Sequence, residues 1–60
     1  MPTPITCLTQ TKDKNFEGYH YMGEKEVCIK RFSEQYPEKT LIGAFETSDL
    51  NEAIRMYKKS

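Results

Sequence analysis

The C-terminal segment constrains the fold more than any other part of the sequence, because its local signals all predict one amphipathic helix. Asp49 supplies a capping side chain, and Glu52 follows three positions later, as in a capping box. Apolar side chains then recur at i, i+3, i+4 and i+7, at Leu50, Ala53, Ile54 and Tyr57. Lys58 and Lys59 suit the negative end of the helix dipole. The pattern predicts a helix near residues 49–59 with one face to be covered.

The rest of the 60-residue chain predicts a small antiparallel sheet against that helix. A chain this short forms one domain with a thin core. Aromatic and β-branched residues predict three main strands at residues 16–22, 26–32 and 40–45, the first two joined as a hairpin through Gly23. Residues 5–10 predict an extra N-terminal strand at a sheet edge. The fold class is therefore α+β, with an N-terminal strand and loop over residues 1–15 and the sheet plus helix over 16–59.

Alternation along these strands divides the side chains between two sheet faces. The helix-facing set is Tyr19, Tyr21, Val27, Ile29 and Ile42, against which Ile54 and Tyr57 are expected to be buried. The opposite set is His20, Met22, Cys28, Lys30 and Leu41. One helix leaves that second face open, and an exposed apolar patch on a small protein marks an interface. The alternative is that the N-terminal segment folds across it.

The composition gives no indication of an enzyme, a cofactor or a metal. The only histidine is His20, the glycines are isolated, and Cys7 and Cys28 lie far apart from it in sequence. Sixty residues also leave little room for a substrate pocket. The sequence shows no export signal and no membrane-spanning run, so we expect a cytoplasmic protein with two free thiols.

The second half of the chain resembles the ethylene-response-factor-type DNA-binding domains and the arm-type DNA-binding domains of tyrosine integrases. The resemblance rests on residues 41–47 (LIGAFET) followed by a helix with Ala53 and Tyr57, on residues 16–19 (FEGY), and on Gly23 followed by residues 27–30 (VCIK). It implies a phage or mobile-element module whose three-stranded sheet enters the DNA major groove, with the helix behind. The groove-facing residues would be His20, Met22, Lys30, Lys39 and Leu41.

Two binding functions are therefore expected from the sequence. The resemblance favours DNA binding through the open sheet face, although this face has no arginine or tryptophan for base contacts. Nine basic and nine acidic residues give a net charge of zero, which favours a protein-binding regulator or inhibitor, or a homodimer, using the same face.

Overall fold

A computed structural model describes residues 2–59 and shows a small α+β fold, as predicted. The elements in chain order are strand β1 (Pro4–Gln10), strand β2 (Phe16–Met22), helix α1 (Lys25–Gln35), strand β3 (Leu41–Phe45) and helix α2 (Leu50–Lys59). The three strands form one antiparallel sheet in the order β2-β1-β3. The predicted bounds of β2, β3 and α2 are confirmed.

The N-terminal strand lies at the centre of the sheet, so its predicted edge position is wrong. β1 pairs with β2 from Pro4 opposite Met22 to Gln10 opposite Phe16, and with β3 on its other side. Five consecutive residues of β1, from Ile5 to Thr9, are buried. Burial of both alternating sets is typical of a strand covered on two faces. Small and β-branched residues throughout make β1 suited to that position.

Residues 26–32, predicted as a strand, belong to helix α1. Cys28, Ile29, Phe32 and Tyr36 recur at helical spacing, and these four residues pack in or against the core. Val27, expected in the core, is 45% exposed. The intervening residues are mainly Glu, Lys and Arg, which favour helix. Pro37 follows the end of the helix, where proline disfavours helical geometry in the residue before it.

Helix α1 covers the sheet face that carries the larger apolar cluster. β2 and β3 both run antiparallel to β1, so these two edge strands are parallel to each other. Helix α1 connects them and crosses over the central strand β1. The buried cluster on this face is Ile5, Cys7, Cys28, Phe32 and Ala44. Tyr19, Phe32 and Tyr36 stack at one side of it, with ring centroids 4.6–5.5 Å apart. This face receives Tyr19 and Tyr21, which were predicted to face the C-terminal helix.

Helix α2 packs on the opposite face, which is therefore not open. A Cβ at Gly18 of β2 would lie 2.6 Å from Leu50 Cδ1 and 3.3 Å from Thr6 Cγ2, so a larger residue here would require the Leu50 side chain to move. Ala53 is fully buried, whereas Ile54 is half-buried. The predicted packing of α2 against Val27 and Ile29 is wrong, because both residues lie on α1 across the sheet.

Asp49 begins helix α2 much as the sequence predicts. Its Oδ1 accepts a hydrogen bond from the Asn51 backbone N–H at 3.2 Å, which satisfies one of the free donors of the first turn. The Ala53 N–H donates to the Asp49 carbonyl at 3.0 Å and closes the first helical turn. Tyr57, near the other end, packs edge-on against Phe16 with ring centroids 5.8 Å apart.

The two cysteines are free thiols buried between β1 and α1, as predicted. Burial, with a smaller contribution from Cys28, raises the pKa of the Cys7 thiol from 9.0 to about 11. The folded protein therefore retains the Cys7 proton at pH values where the unfolded chain releases it. The raised pKa of Cys7 stabilises the folded state fully below pH 9, and this stabilisation is lost as the pH rises towards 11.

We expect the free energy of unfolding of wild type to fall more steeply between pH 9 and 11 than that of Cys7→Ala. Each unit of pKa difference corresponds to about 1.4 kcal/mol, so the extra loss should be roughly 2 kcal/mol. Urea titrations across this range measure it. Burial also raises the pKa of Tyr21, and this main cause is present in both proteins, so only the smaller contribution of Cys7 to the Tyr21 shift differs between them. Parallel pH profiles would contradict the prediction.

Candidate functional site

The structure separates the five residues predicted to form one binding face. His20 and Met22 lie on β2, on the side of the sheet that faces α2. Lys30 is on the exposed side of α1, not on a strand. Lys39 lies in the loop before β3, and Leu41 packs against the core beneath α1. The predicted open face does not exist, because segment 26–32 became a helix and the sheet is covered on both sides.

His20 and Met22 remain together, beside a small cleft at one end of the sheet. The sheet-end cleft has a volume of about 100 Å³ and mainly apolar walls, formed by Pro4, Ile5, His20, Tyr21, Met22, Thr47 and Ser48. Met22 is the last residue of β2 and is 62% exposed. Among the described residues, Met22 and Val27 are the large hydrophobic side chains that are exposed, and only Met22 borders this cleft.

A hydrogen-bonded chain fixes the His20 ring at the cleft wall. The Thr6 hydroxyl is buried and donates its single proton to the Thr47 carbonyl at 2.7 Å. His20 Nδ1 lies 2.9 Å from the same hydroxyl oxygen. Because that hydroxyl has no second proton, Nδ1–H must be the donor to Thr6. In its neutral form, the imidazole therefore has an unprotonated Nε2 that can accept a hydrogen bond from outside the chain.

Carboxylates surround this end of the molecule. Both helices begin here, and the segments 2–5, 21–26 and 45–52 make up what we call the acidic end. Its acidic residues are Glu24, Glu26, Glu46, Asp49 and Glu52, and its one lysine or arginine among the described residues is Lys25. The positive ends of the two helix dipoles offset about one charge. The acidic end therefore has a net negative charge although the whole chain is neutral.

The other end of the sheet has the opposite charge. The segments 10–16, 36–41 and 56–59 form the basic end, with Lys12, Lys14, Lys39, Lys58 and Lys59 against Asp13 and Glu38. Lys58 Nζ lies 5.9 Å from the centroid of the Phe16 ring, so the end of α2 contacts the start of β2. Lys39 donates to Glu17 Oε1 at 3.0 Å, and this hydrogen bond raises the lysine pKa.

The described part of the chain contains no group of side chains arranged to bind a metal ion. No three His, Cys, Asp or Glu side chains in residues 2–59 converge so that they could hold a metal ion. Neither of the helices in that range is long and apolar enough to cross a membrane. Three larger surface clefts have charged walls, such as the one along Val27, Lys30 and Glu34.

The comparisons with known proteins identify no relative. No family model matches the chain, and neither a curated protein nor a solved structure is significantly similar to it. The resemblance to the integrase-arm and ethylene-response-factor domains stays a prediction. The segment matched to their second strand, residues 27–30, is helical in this fold.

Sequence reasoning missed Thr6 and Thr47, which position His20. Thr6 belongs to no recognisable motif, and Thr47, although it ends the segment LIGAFET, is 41 positions away from Thr6 in the chain. The available signal was the polar Thr6 between apolar Ile5 and Cys7 in a β-favouring segment. A buried hydroxyl in a strand must find a hydrogen-bond partner, but the sequence does not say which one.

Proposed function

We propose that this protein is a protein-binding module whose contact surface is the sheet-end cleft together with Met22. The observation that carries the proposal is the 62% exposure of Met22 beside a mainly apolar cleft. An exposed, flexible thioether next to unfilled apolar space suits an interface, because contact with a partner removes both from water.

The dimensions of the cleft favour a macromolecular partner over a small molecule. Pockets for small ligands usually begin at roughly 300 Å³. The sheet-end cleft, at about 100 Å³, has space for one aliphatic side chain. A protein interface commonly places one such anchor in a pocket and surrounds it with weaker contacts. The exposed His20 side chain on β2 and the turn at Ser48 are available for those contacts.

DNA binding is a second candidate, and charge segregation is the observation that favours it. The acidic end would repel phosphates, so a nucleic acid would bind at the basic end through Lys12, Lys14, Lys58 and Lys59. This differs from the mode implied by the family resemblance, in which a sheet face enters the major groove. Lys39, one of the predicted DNA contacts, lies at the basic end but is paired with Glu17.

The protein-binding proposal is tested by placing a photo-crosslinking amino acid at position 22 or, as the control, at position 27. Both positions hold exposed hydrophobic side chains, but Val27 lies away from the cleft. Crosslinked proteins from cells of the source organism are identified by mass spectrometry, and the recovered protein is then titrated in purified form. We expect a partner that crosslinks from position 22 only.

Binding of that purified partner should weaken at least tenfold on Met22→Asp and little on Val27→Asp, because a carboxylate at position 22 would have to be desolvated. Equal effects of the two substitutions would place the interface elsewhere. A parallel titration uses a DNA duplex of mixed sequence with wild type and a Lys58→Glu/Lys59→Glu variant. Salt-sensitive DNA binding that this variant loses, without any protein partner, would favour the second candidate.

A further inference from the structure

We infer that the sheet-end cleft recognises a cationic polypeptide segment, which inserts one aliphatic side chain beside Met22 and donates a hydrogen bond to His20 Nε2. This inference rests on the protein-binding function proposed above and specifies the chemistry of the partner. Three independent properties of the described residues carry it: the size of the cleft, the protonation pattern of His20 and the charge of the surrounding segments.

The apolar part of the partner follows from the cleft walls. Among the residues that line the cleft, Pro4, Ile5, Tyr21 and Met22 have apolar or aromatic side chains. A volume of about 100 Å³ corresponds to roughly three water molecules in the liquid, and a side chain of the size of Leu, Ile or Met fits it. A polar side chain would lose its hydration there with few groups available to replace it.

The hydrogen-bond donor follows from the fixed orientation of His20. Thr6 holds the Nδ1–H at 2.9 Å, and the Thr6 proton is committed to the Thr47 carbonyl. Neutral His20 therefore presents a lone pair on Nε2 at an exposed position on the cleft wall. A partner group at this position must donate, as a lysine ammonium, an arginine guanidinium or a backbone N–H does.

The positive charge follows from the carboxylates near the cleft in sequence. Glu46 precedes Thr47, Asp49 follows Ser48, and Glu24 is two positions after Met22. All three residues are exposed, so their charges can act on an approaching partner. An acidic surface accelerates association with a basic partner and opposes an acidic one. DNA and acidic peptides are thus disfavoured at this end.

The test is a selection from a displayed library of random peptides, with wild type and with Met22→Asp as targets. We expect wild type to enrich peptides that carry an aliphatic residue flanked by Lys or Arg, and Met22→Asp not to enrich them. Enrichment of neutral or acidic peptides that still need Met22 would overturn the cationic assignment and leave the proposed function intact. Equal enrichment by both targets, or none by wild type, would overturn both.

The His20 assignment has a test that needs no partner. Long-range ¹H–¹⁵N correlation spectra of the free protein at mildly alkaline pH should show the proton on Nδ1, and Thr6→Val should abolish this preference. The best selected peptide should bind His20→Phe about tenfold more weakly, as expected for one hydrogen bond to a charged group. A proton found on Nε2, or undiminished affinity for His20→Phe, would show that His20 does not accept from the partner.

Discussion

Phe32→Ala is expected to lower the free energy of unfolding by about 3–5 kcal/mol. Phe32 is almost completely buried, and its ring stacks against Tyr19 and Tyr36 at centroid distances of 5.2 and 5.5 Å. Truncation would leave a cavity between α1 and the sheet, because Phe32 is the largest fully buried side chain of the helix. A single core of this size rarely contributes more than about 3–5 kcal/mol to the free energy of unfolding, so the variant should be largely unfolded.

Urea titration followed by circular dichroism measures this effect, with Val27→Ala as the matched control on the same helix. Val27 is 45% exposed, so its truncation should change stability by no more than about 0.5 kcal/mol. The two variants also test whether residues 26–32 form a helix or a strand, because the side-chain alternation of a strand would place Val27 in the core. Similar midpoints for Phe32→Ala and wild type would contradict the packing of α1 described above.

Ala53→Asp is expected to have a comparable effect on the other side of the sheet. Ala53 is fully buried where α2 packs on the sheet, and the acidic groups nearest in the helix cannot neutralise a new carboxylate. A buried and unpaired charge costs about 3–5 kcal/mol. Helix α2 would have to leave the sheet, or the whole domain would unfold.

Asn51→Asp is the control for this substitution. It introduces the same residue and the same change of charge in the same helix, but at an exposed position of the first turn. A carboxylate there interacts favourably with the helix dipole, so stability should be unchanged or slightly raised. Thermal unfolding of both variants provides the comparison. If both variants melt at the wild-type temperature, α2 does not bury Ala53 against the sheet.

The sequence was sufficient for the elements whose periodicity and end signals agree. Asp49 caps α2 and its apolar spacing is helical, so both its bounds and its type are confirmed. Strands β2 and β3 were predicted for their aromatic and β-branched content, and their bounds are also confirmed to within one residue.

Residues 26–32 were wrongly predicted as a strand because the types of residue in this segment were given more weight than their spacing. Val27 and Ile29 are β-favouring residues, and a strand following Gly23 completed an apparent hairpin. The spacing of Cys28, Phe32 and Tyr36 is four residues, which fits a helix and not a strand. Intrinsic strand preference is weak and depends on context, so the packing of this stripe against β1 decided the outcome.

The candidate site could be predicted only in part, because some of its residues were assigned through the strand wrongly predicted at residues 26–32. His20 and Met22 were identified because alternation placed them on one side of β2, and the structure keeps them together. Lys30 and Leu41 were assigned to that face through a strand that is absent. The cleft itself depends on the turn at Thr47 and Ser48 approaching β2, and such long-range proximity follows from the sheet order, not from local sequence.

The central position of the first strand has a consequence for how the protein is made. β1 is synthesised before β2 and β3 and can pair with β2 once that strand follows, but its other edge waits for β3, where Thr6 meets Phe45. At about 5–20 residues per second this delay lasts on the order of seconds. During it, the edge of β1 that β3 later covers is unpaired and is open to pairing with other nascent chains.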